Sequence, residues 1–325
     1  MHIRFYRPED DPVLMDLERQ SPRGLPEPFV HYRRRFIDRA ALFPDHRLLV
    51  AEHDGAIAGT AAVIVKRTRI GGEPLSLGYV FDVRAAPALR RRGIGQSLLA
   101  AIDEVLIARG VDGVYAHIVA SNMPSLKLFA KLGYQTLRPI VLLVFQPLPA
   151  SDVPRWTPRL TVDPAAGQDR IAAVHGARDL YVPDVAARVK DFGFERWSVD
   201  LGDGGLAGMS LFDQGGVFQQ WPADLPFLSE QEMQQHDQKS LRLFDEVGSD
   251  NAALLRSVFD ALRDRAARGN VSNLTLLVDP MDRVPAFFFA EAARQMDYWM
   301  VFKPLRPGWT PAWQDGPIYL DAREL

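Results

Sequence analysis

The chain contains no cysteine, which removes a disulfide framework, a thiolate metal site and a cysteine nucleophile together. It also lacks any run of about 20 uncharged apolar residues, and nothing after Met1-His2-Ile3-Arg4 has the length of a signal-peptide core, so a cytoplasmic protein with no membrane partner is expected. An excess of one charge is missing as well. The 38 Lys and Arg against 41 Asp and Glu give a net charge of −3, and the only dense basic cluster is Arg90-Arg91-Arg92, so nucleic acid is not the expected partner. No metal is expected either. What the chain does have is 325 residues, 47% apolar and 24% charged, enough for about two ordinary globular domains.

The most informative stretch runs from Phe81 to Leu99 and reads as strand, basic glycine-containing turn and helix. Period-two alternation over residues 78–83 predicts the strand, with Phe81, Val83 and Ala85 on one face and Asp82 and Arg84 on the other. Ile94, Leu98, Ile102 and Val105 form one stripe of the helix, which Arg109-Gly110 ends. Gly93 and Gly95 remove side chains where the backbone must approach something closely. The turn's N–H groups, the unpaired donors of the first helical turn and three arginines all favour a phosphate-bearing ligand. Two familiar phosphate loops are excluded. The dinucleotide fingerprint needs Gly or Ala where Leu98 stands, and no Gly-Lys-Ser/Thr occurs.

Around this stretch the reading is a short strand at 3–6, a helix with Val13, Leu14 and Leu17, a second helix over about 31–41, and two strands joined at Asp54-Gly55. A third meander strand covers about 75–85. A strand at 113–119, a helix opened by Asn122-Met123-Pro124 and an apolar strand at 139–145 follow.

Arg90-x-x-Gly93-x-Gly95 fits Gln/Arg-x-x-Gly-x-Gly/Ala, and Asn122-x-x-Ser125-x-x-Leu128-Phe129-x-x-Leu132-Gly133-Tyr134 stands at the right distance after it. With both motifs and the element order, residues 1–146 resemble the GNAT superfamily of acyl-CoA-dependent N-acyltransferases. The second half repeats the plan. A hairpin at 196–212 carries Ala207-Gly208 as the first carries Ala58-Gly59, Ser240 to Asp245 echoes Tyr79 to Asp82, and a helix capped by Asp250 ends at Arg268-Gly269. A strand at 274–278 and a helix at 287–296 complete it. Its turn, Glu246 to Asn251, is acidic and lacks the Gly-x-Gly. The expected fold is therefore α/β (α+β): two tandem GNAT-like domains, each a mixed, mostly antiparallel sheet flanked by helices. The boundaries are 1–147 for the acetyl-CoA-binding domain, 148–159 for a proline-rich linker and 160–325 for a degenerate second domain.

The resemblance implies direct attack of a primary amine, on a small molecule or peptide, upon the thioester of acetyl-CoA in a ternary complex. It assigns the pyrophosphate to Arg90, Arg91, Arg92, Gly93, Ile94, Gly95 and Gln96, and the pantetheine to the main chain of Val83 and Ala85 and to Asn122, Ser125 and Phe129. Where the family often has a tyrosine acid this chain has Phe129, which donates nothing, and Ser125 one turn earlier is the substitute. Asp82 is the expected base, with His117 on the next strand, Glu52 and Tyr79 as weaker choices. The aromatic residues Phe287, Phe288, Phe289, Trp299 and Trp309 read as packing. A non-catalytic acyl-CoA-binding or scaffolding protein is the competing reading, and a homodimer stays open.

Overall fold

In a computed structural model of the chain, residues 1–22, 28–148, 159–161, 163–165, 167–200, 206–223, 239–248 and 250–325 are described. The strands are β1 (His2–Phe5), β2 (Phe29–Tyr32), β3 (His46–His53), β4 (Ala56–Ile70), β5 (Glu73–Ala85), β6 (Gly113–Val119), β7 (Gln135–Phe145), β8 (Arg159–Thr161), β9 (Glu195–Asp200), β10 (Leu206–Asp213), β11 (Gln219–Pro222), β12 (Lys239–Val247), β13 (Val271–Val278) and β14 (Arg294–Pro304). The helices are α1 (Asp11–Arg19), α2 (Asp38–Ala41), α3 (Ile94–Ala108), α4 (Met123–Lys131), α5 (Gln168–His175), α6 (Val185–Arg188), α7 (Ala252–Arg268) and α8 (Ala286–Glu291).

Twelve strands form one continuous sheet in the order β1-β3-β4-β5-β6-β14-β7-β13-β12-β10-β9-β8, and β2 pairs with β11 alongside it. The pairs are antiparallel except β5 with β6 and β12 with β13. The two halves exchange their last strands. β14 of the second half lies between β6 and β7 of the first, and β7 pairs with β13 of the second.

Local chemistry accounts for most elements. Asp54 and Gly55 both take positive φ, 52° and 78°, the backbone of a primed two-residue hairpin turn whose twist suits the flanking strands. α3 buries Ile94, Leu98, Ile102 and Leu106 on one stripe, against Val63, Val80 and Val114 of the sheet. On the opposite face a cluster drawn from both halves joins Leu14 and Leu17 of α1 to Tyr79, Phe81, Leu142, Leu277, Met300 and Phe302. The second half has its own core under α7, with Leu255, Val258, Phe259 and Leu262 completely buried.

Three expectations are corrected. Residues 31–41 are not one helix. Phe29–Tyr32, rich in aromatic and β-branched residues, is a strand because β11 offers it a ladder 190 residues away in sequence, with Trp221 opposite Val30; only Asp38–Ala41 is helical. The helix expected over 287–296 stops at Glu291, and Arg294 begins β14. Met296, Tyr298, Met300 and Phe302 alternate into the shared core, so period two and two ladders override helix propensity. The cap of α7 is Asn251, whose side chain accepts from Leu254 N, rather than Asp250. Most of the 148–159 linker and the 202–205 turn lie outside the described residues.

Met300 is completely buried between the halves, so Met300→Ala is expected to lower unfolding stability by about 2–5 kcal/mol, read by denaturant titration. An isolated 1–147 segment would leave β6 and β7 without the strand between them. It is expected to lack the single cooperative melt of the whole chain, and a sharp independent transition would show that the strand exchange is dispensable.

Candidate active site

β5 and β6 pair only at Leu77↔Gly113, Gly78↔Val114 and Tyr79↔Tyr115. Past that point β5 runs on to Ala85 and β6 to Val119 without pairing with each other. The result is a fork with a free main-chain edge on β5. Its cause lies at Asp82. Pairing with β4 passes from Phe81↔Ala62 to Arg84↔Thr60, so two residues stand opposite one and the strand bulges. Asp82 has φ 51°, a left-handed conformation that aspartate tolerates better than most residues. The bulge also re-phases the strand. Tyr79 and Phe81 enter the core beside α1, while Val80, Val83 and Ala85 enter the core beside α3. The expectation that Phe81 and Val83 share a face is thus corrected by one inserted residue.

The Asp82 side chain is 1% exposed and carries a structural load. Its Oδ2 accepts from Arg33 Nη1 at 2.7 Å and its Oδ1 from Arg39 Nη1 at 3.3 Å, with Arg84 Nη2 3.8 Å away. Arg33 also donates to Glu18 at 2.9 Å, and Arg84 to the same carboxylate. Burial opposes the Arg33 charge, but Asp82 and Glu18 outweigh it and hold its pKa above the ordinary value. This network pins α1, the Arg33–Arg39 segment and β5 around the bulge.

On the other face, the Arg90–Arg92 turn is exposed. Arg91 has φ 64° and Gly93, the N-cap of α3, has φ 82°. No side chain caps this helix, and its first paired amide is Ser97 N, bonded to Gly93 O at 2.9 Å. The N–H groups of Ile94, Gly95 and Gln96 therefore face outward as a positive helix end. Gly59 lets that end reach the fork, since a Cβ there would fall 2.5 Å from Arg84 O and 2.7 Å from Ile94 Cγ2. Gly95 packs on α4, where a Cβ would meet Leu128 Cδ2 at 3.1 Å. Gln96 Oε1 accepts from Lys131 Nζ at 2.9 Å. On α4, Asn122 Oδ1 accepts from Ser125 N at 3.2 Å as an N-cap, and Ser125 is half-buried. Phe129 is 4% exposed and meets Tyr134 edge-on at 4.8 Å. The Tyr134 hydroxyl is committed to Asp103 at 3.2 Å.

Sequence reasoning missed what fills the α1 side of the fork. The segment after β14 returns there, and Glu324 meets the last paired residues: Tyr115 Oη and Lys66 Nζ donate to its carboxylate, and Tyr79 Oη and Arg39 Nη2 to its main-chain oxygen. Asp321 lies 3.8 Å from Lys66. Burial raises the Glu324 pKa, and Lys66 opposes that rise. His117 joins the group, its side chain 1% exposed and Nδ1 3.9 Å from Glu324. Neither ring nitrogen has a hydrogen-bond partner, and burial depresses the imidazole to about 3. Glu52 pairs with Arg4 at 2.6 Å, on the β3 strand two places from β5. No local periodicity announces a carboxylate brought from residue 324; only the alternation of β14 hints that the chain returns.

The second half has a fork of its own. β12 and β13 part beyond Leu243↔Leu276, a bulge separates Gly208 from Ser210 on the partner strand, and Asp245 has φ 50°. Here, however, Asn251 caps α7 with its own side chain.

Against known proteins, residues 12–134 match the acetyltransferase (GNAT) family. An acetyltransferase of Pectobacterium atrosepticum is 27% identical over 144 residues, covering 44% of this chain and 93% of the relative. Over nearly the whole chain the fold is similar to a candidate acetyltransferase from Pyrococcus horikoshii, with TM-score 0.63 and 12% identity over 99% of this chain and 95% of that one. It is also similar to a tandem GNAT protein from the clavulanic acid biosynthesis pathway, with TM-score 0.57 and 14% identity over 94% of this chain and 99% of that one. These two likenesses are of fold.

Asp82→Asn would leave Arg33, Arg39 and Arg84 with one fewer buried counter-charge. It is expected to cost about 3–5 kcal/mol of stability in denaturant unfolding. A variant as stable as the parent would show that the network does not hold the bulge.

Proposed function

We propose that this chain, a member of the GNAT superfamily through residues 12–134 and a tandem GNAT in fold, transfers an acetyl group from acetyl-CoA to a primary amine of a small molecule or peptide. The observation that carries this reading is the fork between β5 and β6, which opens beside an uncapped, arginine-flanked helix end. A pyrophosphate suits the N–H groups of residues 93–96 with Arg90, Arg91 and Arg92 around it. The free edge of β5 suits a pantetheine arm as an added strand, pairing with the main chain of Val83 and Ala85. Asn122, Ser125 and Phe129 on α4 would flank that arm. In this reading 1–147 and 160–325 are the two repeats, and only the first binds the cofactor.

The reaction asks for a base on the acceptor side and a donor on the thiol side. As the amine nitrogen bonds to the thioester carbon, an amide N–H of Val83 or Ala85 receives the developing oxyanion. The nitrogen's proton passes to Glu324, the buried carboxylate whose pKa burial raises. The C–S bond then breaks, and the thiolate leaves as such or takes a proton from the Ser125 hydroxyl as a solvent water gives one back to Ser125. Asp82 serves as a positioning residue through Arg33 and Arg39 rather than as the base.

Two measurements test this. Calorimetry is expected to count one CoA per chain, because Asn251 caps the second helix end with its own side chain. Gly93→Val, forcing a β-branched residue to φ 82°, is expected to weaken CoA at least tenfold. Two equal sites, or undiminished affinity in the variant, would sink the assignment. Glu324→Gln is expected to lower kcat for thiol release about 100-fold with CoA affinity retained. A base must be deprotonated, so the parent rate falls as pH drops through the Glu324 pKa, and that acidic limb vanishes in the variant. An unchanged pH profile would remove Glu324 from the proton route.

A further inference from the structure

Beyond β14 the chain forms no helix or strand, so the backbone donors of residues 305–325 have no ladder of their own to join. They find partners at a few fixed points. Leu305 N and Arg306 N donate to the Asp112 carbonyl oxygen, at 2.9 and 3.0 Å, where this strap leaves the sheet. Gln314 N donates to Asp179 Oδ2 at 2.8 Å, and Tyr319 N to the Asp179 carbonyl oxygen at 2.8 Å. Asp179 Oδ1 takes Gly71 N at 2.8 Å, which ties the strap to the turn between β4 and β5.

The strap then enters the fork of the second half. Ile318, Tyr319, Leu320 and Ala322 line the cleft between the diverging ends of β12 and β13. Ile318 N donates at 3.0 Å to Oδ2 of Asp279, the residue after β13. Arg138 Nη1 bridges that oxygen and the Gly316 carbonyl, at 3.0 and 2.8 Å. Tyr319 Oη donates at 2.7 Å to Oδ1 of Asp245, the β12 residue at φ 50°. Burial, with the Asp245 charge beside it, pushes the phenol pKa well up, so the hydroxyl keeps its proton. Tyr181 and His175 meet the ring edge-on, at 5.1 and 5.7 Å.

Glu324 stands five residues after Tyr319, and the link between them is braced. Glu324 N donates to Asp321 O at 3.0 Å, and Asp321 Oδ1 takes Arg323 N and Nε at 3.1 and 2.9 Å. At the carboxylate, Lys66 Nζ and Tyr115 Oη both donate to Oε1, and Oε2 lies 3.9 Å from His117 Nδ1. A base must present its oxygen to the nucleophile within a fraction of an ångström, and the strap carrying it is fastened in the other half.

We infer that the fork of the second half anchors the proton acceptor of the first, with Tyr319, held by Asp245, and Asp279 as positioning residues for Glu324. This role rests on Glu324 as the base.

A double-mutant cycle on the full chain tests it, reading thiol release from acetyl-CoA with n-propylamine as acceptor. Tyr319→Phe deletes the hydroxyl and keeps the ring. It is expected to lower kcat about tenfold with CoA affinity unchanged. In a Glu324→Gln background the same change is expected to cost less than about twofold, since a residue acting through Glu324 then has nothing to position. Tyr181→Phe is the control: its hydroxyl meets Gln168 rather than the strap, and the rate is expected to stay at the parent value. Hydrogen exchange reads the anchor without turnover, and the amides of Leu320 to Glu324 are expected to exchange at least tenfold faster in Tyr319→Phe. Unchanged exchange, a parent-like rate in Tyr319→Phe, or an equal rate loss in both backgrounds would overturn the anchor and leave Glu324 as the base. Full turnover in Glu324→Gln would overturn the base itself, and the positioning role with it.

Discussion

The structure depends on one exchange of strands. With β14 seated between β6 and β7, and β7 against β13, neither half completes its sheet from its own sequence. The consequence reaches the chemistry. Pairing through Pro304↔Gly113 fixes where the chain leaves β14, and the segment beyond it returns to the fork of the first half. Glu324 at Tyr79 and Tyr115 is therefore as much a product of sheet topology as β14 itself. The second half of the chain supplies a core wall, a strand and a carboxylate to the first.

The two forks share a backbone and differ in electrostatics. Asp82 and Asp245 occupy matching bulges with φ of 51° and 50°. In the first, three guanidinium groups surround the carboxylate; in the second, the Tyr319 hydroxyl donates to it and the Arg196 charge acts on it. A buried ion network seldom adds net stability over apolar packing, because desolvation offsets the Coulomb gain, yet losing one member is costly. Its role here is therefore read as geometric. It locks α1 and the Arg33–Arg39 segment onto the bulge so that the β5 edge stays open.

How much of this the sequence disclosed follows the range of the interactions involved. The Asp54-Gly55 hairpin, the stripe of α3, the Arg90 to Gly95 turn and the Asn122 cap depend on neighbours within a few residues, and each was legible. The strand at Phe29–Tyr32 depends on β11, and the phase of β5 after Phe81 depends on one inserted residue at Asp82; periodicity registers neither. Glu324 was beyond reach because its environment is set by Lys66, Tyr79 and Tyr115, more than 200 residues away. Met296, Tyr298, Met300 and Phe302 did announce a strand by alternating, and a helix reading that ran on through Met296 passed over it.

The two halves also differ at the start of the helix that follows each bulged strand. A helix N-terminus leaves several amide donors unpaired, and they must find water, a side chain or a ligand. At α3 the cap is Gly93, which has no side chain to offer, so the donors remain available to a phosphate. At α7 the cap is Asn251, and one donor is already satisfied at 3.1 Å from its Oδ1. Asparagine in place of glycine makes that helix start more self-sufficient by about 1 kcal/mol or less. The same side chain takes up donor capacity that Gly93 leaves open at the start of α3.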